Sequence, residues 1–188
     1  MPLHAFIDVE TTGLSPSTDA VTEIAVLLRR GHETLAELSV LVDPGRSIPP
    51  EISSMTGITD DMVVGSPCIG EVLPAVRAIV RNAVVVGHNV SFDLEFLSKA
   101  LTEAGLPSLE NESVDTVDLA RQLLGDEVPD HRLSTVARHL RSDGGSAHRA
   151  LGDARMTAEV FRVLSSMAAV PEGEVAAAGA VRLAGDAA

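Results

Sequence analysis

Two carboxylates lie two residues apart, at Asp8 and Glu10, inside an apolar segment near the N-terminus. In a β-strand, residues i and i+2 point to the same face, so these two side chains are expected to stand side by side. The opposite face is apolar, which predicts a buried central strand: it consists of Leu3, Ala5, Ile7 and Val9. Two ionised carboxylates there would repel each other and lose hydration, and a divalent cation relieves both effects. The segment therefore predicts a metal site at the end of a strand, beside the turn formed by the Thr-Thr-Gly that follows.

The composition is that of a single soluble domain. The chain has 188 residues, of which 45% are hydrophobic and 22% charged. No segment approaches the roughly 20 apolar residues that a membrane span requires, and no basic stretch leads into an apolar one at the N-terminus. We therefore expect no signal peptide, no membrane association and a cytoplasmic location. The single Cys68 excludes an internal disulfide and a multi-cysteine zinc site.

The charge balance is unusual for a protein that binds nucleic acid. The formal net charge is −13, whereas phosphate binding normally requires a basic face. Bound metal ions would neutralise part of this charge. Several arginines also cluster late in the chain, at Arg132, Arg138, Arg141, Arg149 and Arg155. Any binding to nucleic acid is therefore expected to be weak and sensitive to salt.

The pattern of apolar residues predicts an α/β fold. Three strands at residues 3–9, 22–30 and 35–42 are expected to form an antiparallel meander, followed by a loop at 43–50. Shorter strands are predicted at 84–86 and 113–115, and helices at 52–56, 70–81, 91–104, 117–124, 132–140 and 149–167. This order indicates a mixed sheet covered by helices, followed by a disordered tail that is rich in Ala, Gly and Glu.

A third acidic residue follows the predicted strand at 84–86. Gly87 allows the chain to turn sharply out of the sheet, and Ser91 is a candidate cap for the next helix. Asp93 would then lie in the first helical turn, close to the C-terminal end of the strand. An ordinary first-turn Asp, stabilised by the helix dipole, is an alternative interpretation of this segment taken by itself.

A histidine and a fourth acid lie five residues apart, at His148 and Asp153. Five residues rotate a side chain by about 140° on an ideal helix, so the two cannot share one helical face. They converge if His148 lies in the loop that follows Gly144-Gly145-Ser146 and Asp153 lies on the first turns of the helix. Such a histidine is well placed to accept a proton, although a solvated surface residue is the more common role of a loop histidine considered alone.

Together these segments resemble the DEDDh family of 3′→5′ exonucleases, which have the ribonuclease H-like fold. The similarity covers residues 3–167 and is greatest to the proofreading epsilon subunit of bacterial DNA polymerase III. Its three motifs correspond to Asp8 through Leu14, His88 through Asp93, and His148 through Asp153. The resemblance implies a mixed five-stranded sheet, with three antiparallel strands plus parallel strands, flanked by helices. It also implies an exonuclease domain over residues 1–168, with 169–188 as the disordered tail.

The resemblance implies hydrolysis assisted by two divalent cations, Mg²⁺ or Mn²⁺, for which carboxylate oxygens are suitable ligands. Asp8 would bridge both ions, Glu10 and Asp153 would complete the site of the attacking water, and Asp93 would support the second ion. His148 would remove a proton from the water as general base. The catalytic residues expected from the family are thus Asp8, Glu10, Asp93, His148 and Asp153.

Contacts to the substrate are expected around the first two motifs. The turn after Glu10 is a candidate for holding the terminal nucleotide and its 3′-hydroxyl. Leu14 and Phe92 either wedge against terminal bases or belong to the core, and Asn89 either orders its own motif or touches the substrate. Arg149 is the arginine best placed for a phosphate, although a solvated helix face remains an alternative. The candidate substrate contacts are Thr11, Thr12, Gly13, Leu14, His88, Asn89, Phe92 and Arg149.

The leading functional hypothesis is a 3′→5′ exonuclease that releases 5′-mononucleotides from single-stranded or frayed DNA ends, in proofreading or repair. An RNA-trimming exonuclease of the same family is the nearest alternative. The Thr-Thr after Glu10 favours DNA, because oligoribonucleases usually carry Met at the first of these positions. A non-catalytic binding module attached to a DNA polymerase subunit is the alternative from another class, and loss of a metal ligand would have supported it.

Overall fold

The computed structural model describes residues 2–142 and 149–168. Its sheet has five strands, β1 (Leu3–Thr11), β2 (Val21–Arg30), β3 (Glu33–Leu41), β4 (Val84–Gly87) and β5 (Ser113–Asp115). The order across the sheet is β3-β2-β1-β4-β5. The first three strands form the antiparallel meander, while β4 runs parallel to β1 and β5 parallel to β4. The mixed five-stranded sheet expected from the sequence is therefore confirmed.

The helices lie close to their predicted positions. They are α1 (Pro50–Thr56), α2 (Asp60–Val63), α3 (Ile69–Val80), α4 (Val90–Glu103), α5 (Thr116–Leu124), α6 (Leu133–His139) and α7 (Ala150–Met167), with a 3₁₀ turn at Gly125–Glu127. The sequence did not predict α2 or the 3₁₀ turn, because elements of three or four residues are too short to show periodicity. The predicted tail at 169–188 and the predicted general base His148 lie outside the described residues. No helix in the described part of the chain is long and apolar enough to cross a membrane.

The central strand β1 divides the core into two layers. Ala5, Ile7 and Val9 pack on one side, against the apolar residues of α3 and α4. Phe6 points to the other side and packs against the α7 ring of Phe161, with their ring centroids 5.7 Å apart. Strand alternation places Asp8 and Glu10 on this second side, beyond Phe6 and facing α7. The apolar face predicted for this strand is thus confirmed.

The hydrogen-bond ladder between β1 and β2 shifts its register at one end. Glu10 lies opposite Glu23, but Thr11 lies opposite Val21, so Thr22 has no counterpart on β1. Such β-bulges bend a strand and are common beside active sites. This bulge lies at the end of the sheet where β1, β4 and β5 all have their C-terminal ends.

Candidate metal centre and active site

Three acidic side chains converge at the C-terminal end of β1. Asp8 and Glu10 come from the strand, and Asp153 comes from the first turn of α7. Each offers a carboxylate oxygen within 4.8 Å of the other two, and all three side chains are half-buried. The structure therefore brings together residues separated by more than 140 positions in the sequence, as the motif order predicted.

Burial and the neighbouring charges raise the pKa of two of these acids, Asp8 and Glu10. The pKa of Asp8 lies well above its usual range, mainly because of burial and then because of the charges of Asp93 and Asp153. Burial, followed by the charges of Asp153 and Glu23, raises the pKa of Glu10 to about 7. The site thus holds more negative charge than its protein surroundings compensate, which is the condition that a bound cation relieves.

Asp93 lies on the other side of β1, in the first turn of α4. Its side chain is buried, with 4% exposure, and its Oδ1 accepts a hydrogen bond from the main-chain N–H of Val9 at 2.9 Å. Burial raises the pKa of Asp93 to about 8, although the bond from Val9 opposes this effect. Asp93 is therefore next to Asp8 but is not one of the three acids within common reach.

The donor set fits a hard divalent cation. All the converging atoms are carboxylate oxygens, which suit Mg²⁺ and Mn²⁺ better than zinc. The acids come from rigid elements, a central strand and two helices, and each is at least half-buried. Asp8, Glu10 and Asp153 could therefore hold a divalent cation.

The turn after Glu10 is closed by its own side chains. The Thr11 hydroxyl donates to the carbonyl of Gly13 at 2.6 Å, and the Thr12 hydroxyl accepts from the N–H of Ala20 at 3.0 Å. A Cβ at Gly13 would lie 2.5 Å from the carboxylate of Asp19, so any other residue here would require the Asp19 side chain to shift. Both threonine side chains are buried, whereas Leu14 projects into solvent with 81% exposure. The core interpretation of Leu14 is therefore wrong.

The second motif is held in place by Asp115, which the sequence analysis did not identify. The Asp115 carboxylate accepts from the main-chain N–H groups of Asn89 and Val90, at 2.9 and 3.0 Å, and from that of Val117 at 2.8 Å. It thereby caps both α4 and α5. Ser91, predicted as the cap, instead lies inside α4, because the helix begins one residue earlier than expected.

The other candidate contacts of the second motif are His88, Asn89 and Phe92, and two of them have side chains that contact other parts of the protein. Nδ1 of the His88 ring is 2.9 Å from the Thr116 hydroxyl, and Nε2 is 2.8 Å from the carbonyl of His131. Burial lowers the pKa of His88, which favours the neutral form of the ring. Asn89 has a left-handed backbone, with φ of 68°. Phe92 is partly buried and packs against Phe96, with ring centroids 5.0 Å apart.

Arg149 makes a two-pronged contact with a buried acid of β2. Its Nε and Nη2 donate to the Glu23 carboxylate at 3.1 and 2.8 Å, and this pairing raises the pKa of Arg149. Glu23 was not predicted from the sequence as a site residue. A signal was present, because Glu23 is the one acid in the apolar strand Val21–Arg30, much as Asp8 and Glu10 interrupt β1.

Comparison with known proteins agrees with this geometry. Residues 5–161 match the family model RNase_T, which describes an exonuclease. The chain belongs to this exonuclease family. Membership confirms the family and the enzyme class expected from the three motifs.

Relatives of the exonuclease domain occur in much longer proteins. The chain is 40% identical over 159 residues to the PolC-type DNA polymerase III of Clostridium perfringens, covering 85% of this chain and 11% of that protein. It is 38% identical over 165 residues to a putative bifunctional exonuclease/endonuclease protein of Mycobacterium tuberculosis, covering 84% of this chain and 26% of that protein. The chain therefore spans about a tenth to a quarter of the length of these relatives.

Solved structures of exonucleases share the fold. Exonuclease X in complex with 5′-overhanging duplex DNA has a TM-score of 0.73 and 26% identity, with 92% of this chain and 97% of that chain covered. Escherichia coli exonuclease I in complex with a dA16 oligonucleotide has a TM-score of 0.77 and 18% identity, covering 89% of this chain and 41% of that chain. The ribonuclease H-like architecture of this family member is thereby confirmed.

Proposed function

We propose that residues 1–168 form a metal-dependent 3′→5′ exonuclease domain that releases 5′-mononucleotides from single-stranded or frayed DNA ends, in proofreading or repair. The observation that carries this proposal is the convergence of Asp8, Glu10 and Asp153 within 4.8 Å, beside the buried Asp93, in a chain of the exonuclease family. This arrangement retains every acid that the family motifs require, which argues against a non-catalytic binding module.

The acids of the site would hold two cations, Mg²⁺ or Mn²⁺, against the scissile phosphate. When bound, such cations neutralise phosphate charge and make water more acidic. In the hydrolysis, a water oxygen forms a bond to phosphorus, and the bond from phosphorus to the 3′-oxygen of the preceding nucleotide breaks. That 3′-oxygen takes up a proton and remains the new end of the strand. His148 is proposed to accept the proton of the water.

The surroundings of the site favour a strand end as substrate. Leu14 projects from the turn next to Glu10, where it is available to pack against a terminal base. The backbone of Thr11, Thr12 and Gly13 is proposed to face the terminal nucleotide, since the two threonine hydroxyl groups form hydrogen bonds within the turn. His88, Asn89 and Phe92 of the second motif are proposed as further substrate contacts, and Arg149 is a candidate for phosphate contact.

DNA is the preferred substrate in this proposal. A solved relative, exonuclease X, is described with 5′-overhanging duplex DNA, and the PolC-type relatives are DNA polymerases. An acidic domain with a net charge of −13 is expected to hold DNA weakly by itself. A polymerase subunit or domain that delivers the 3′ end is therefore proposed as a partner, and RNA trimming remains the alternative activity.

The proposal is tested with 5′-labelled single-stranded DNA and RNA of one sequence, at low salt, with Mg²⁺, Mn²⁺ or EDTA. A ladder that shortens from the 3′ end, requires metal and disappears in Asp8→Asn would support it, and the faster substrate would identify the preferred sugar. Asp61→Asn, which changes an exposed acid on α2, is the matched control and should retain activity. Cleavage that is unaffected by Asp8→Asn, or no cleavage with either metal, would contradict the proposal.

A further inference from the structure

Glu23 is a buried acid at the metal centre with no role in the hydrolysis described above. Its side chain is 2% exposed, and its carboxylate accepts three hydrogen bonds. Two come from the Arg149 guanidinium, and the third comes from the main-chain N–H of Ala150 at 3.0 Å. A two-pronged Arg–carboxylate contact fixes direction as well as distance. Both oxygens of Glu23 are therefore bound to the start of α7, not directed to a cation.

A short chain of contacts links Glu23 to a metal ligand. Glu23 lies directly opposite Glu10 in the β1–β2 ladder, so both side chains are on the face that α7 covers. The main-chain N–H of Asp153 donates to the carbonyl of Arg149 at 3.0 Å, which is the first hydrogen bond of the helix. The pair thus connects the strand beside Glu10 to the helical turn that carries Asp153.

The geometry points to Glu23 and Arg149 as positioning residues of the active site. We propose that their two-pronged contact fixes the first turn of α7 against β2, so that Asp153 stays within reach of Asp8 and Glu10 for cation binding. This inference rests on the proposed function, because it concerns the same metal centre. It also assigns Arg149 a role inside the protein that differs from the phosphate contact expected from the sequence.

The two roles of Arg149 predict different behaviour. If Arg149 positions the helix, removing either member of the pair should weaken cation binding and lower kcat, while KM for DNA changes little. If Arg149 binds phosphate, its removal should raise KM, and the loss of Glu23 should leave cation binding intact. Substituting Glu23 and Arg149 together distinguishes the two roles further. If both residues act through their mutual contact, the losses from the single substitutions do not add in the double variant.

The test compares Glu23→Gln, Arg149→Gln and the double variant with the unaltered protein. Mn²⁺ affinity is measured without nucleic acid, and kcat and KM are measured on a short single strand. Each single variant is expected to lose about 10- to 100-fold in Mn²⁺ affinity and kcat, the range found for groups that orient metal ligands. The double variant should be no weaker than the singles. Glu37→Gln is the matched control, because Glu37 pairs with Arg155 of the same helix but on the exposed face, at 2.7 Å.

Arg149→Lys distinguishes positioning from charge neutralisation, because lysine retains the charge but cannot form the two-pronged contact. Positioning predicts that Arg149→Lys resembles Arg149→Gln, and full recovery by lysine would overturn it. If Glu23→Gln does not fold, as judged from its melting in EDTA, the two Arg149 variants carry the test. Unchanged Mn²⁺ affinity in the folded variants would contradict this inference alone. An unaltered protein that binds Mn²⁺ but cleaves nothing would contradict the proposed function alone.

Discussion

At the scale of single residues, the metal centre concentrates negative charge where water is largely excluded. Asp8 lies near four other acids, and burial together with Asp93 and Asp153 raises its pKa. Without a cation, the protein reduces this repulsion by binding protons. Protons and divalent cations therefore compete for the same oxygens, and the apparent cation affinity should fall as the pH is lowered through 7.

The effect of Glu10→Gln on thermal stability, measured in EDTA to remove cations, tests whether repulsion among these acids destabilises the folded protein. The pKa of Glu10 is raised from 4.5 to about 7 in the folded state, so the folded protein binds more protons than the unfolded chain between these values. The contribution of Glu10 to stability is therefore present below pH 4.5 and is lost as the pH rises through 7. We expect Glu10→Gln to melt several degrees higher than the unaltered protein at pH 8, and the difference to shrink toward pH 5.

Other ionisable groups change stability with pH in the opposite direction to Glu10, and comparing Glu10→Gln with the unaltered protein cancels their contributions. The lowered pKa of His88 makes stability rise with pH below 6.5, and this effect is common to both proteins. Thermal melting by circular dichroism from pH 5 to 8 measures the difference. A difference in melting temperature that does not grow with pH would contradict the raised pKa of Glu10.

Leu14→Ala examines the exposed side chain beside the cluster. Since Leu14 is 81% exposed, its removal should leave the melting temperature unchanged. Loss of a base contact should lower kcat/KM on single-stranded DNA by roughly fivefold, equivalent to about 1 kcal/mol. Leu35→Ala, at a 41% exposed position on β3, is the control and should be neutral in the nuclease assay. Equal rates for all three proteins would exclude Leu14 from substrate binding.

At the scale of elements, one carboxylate fixes two helices at the ends of β4 and β5. Asp115 accepts hydrogen bonds from the first turns of α4 and α5, and α4 in turn carries Asp93 to β1. Loss of Asp115 would leave three main-chain N–H groups without their acceptor. The position of Asp93 therefore depends on a residue that is not itself a metal ligand.

Asp115→Ala is expected to lower the free energy of unfolding by about 2–4 kcal/mol, from the loss of helix caps and buried hydrogen bonds. Chemical denaturation measures this change. Asp118→Ala is the matched control on the same helix, because Asp118 is 65% exposed and pairs with Arg121 at the surface. Its effect should stay within about 0.5 kcal/mol. Similar losses in both variants would contradict the capping role.

The sequence predicted those features that are recorded in local patterns. Alternation in β1 and helical spacing in α3 and α4 predicted these elements to within two residues, and the family resemblance of the motifs implied that Asp8, Glu10 and Asp153 lie together. The capping by Asp115 and the pairing of Glu23 with Arg149 were not predicted. The bonds from Asn89 and Val90 to Asp115, and those from Arg149 to Glu23, join residues 25 or more positions apart, and only the packed fold brings such partners together.

At the scale of the whole molecule, a cation would link the first strand to the last described helix. Its proposed ligands are on β1 and α7, with Asp93 on α4. Unfolding the domain separates these elements, so a cation that binds only the folded state must stabilise the entire domain.

Mn²⁺ should therefore raise the melting temperature of the unaltered protein. At 100 times the dissociation constant, the expected stabilisation is about 2.7 kcal/mol. Asp8→Asn should melt at nearly the same temperature with and without Mn²⁺, because it lacks a central ligand. Differential scanning fluorimetry with Mn²⁺ titrated from an EDTA-treated sample gives the comparison. An equal rise in both proteins would place the bound ion elsewhere.

The position of Asp153 on α7 also has a consequence for synthesis. The ribosome makes β1 first and α7 more than a hundred residues later, and α7 covers the face on which Asp8 and Glu10 stand. A nascent or truncated polypeptide that ends before this helix lacks an essential acid and leaves the apolar residues of that face bare. If the proposed function is correct, translation products that end before α7 are expected to be inactive, so nuclease activity would begin only after α7 has been made.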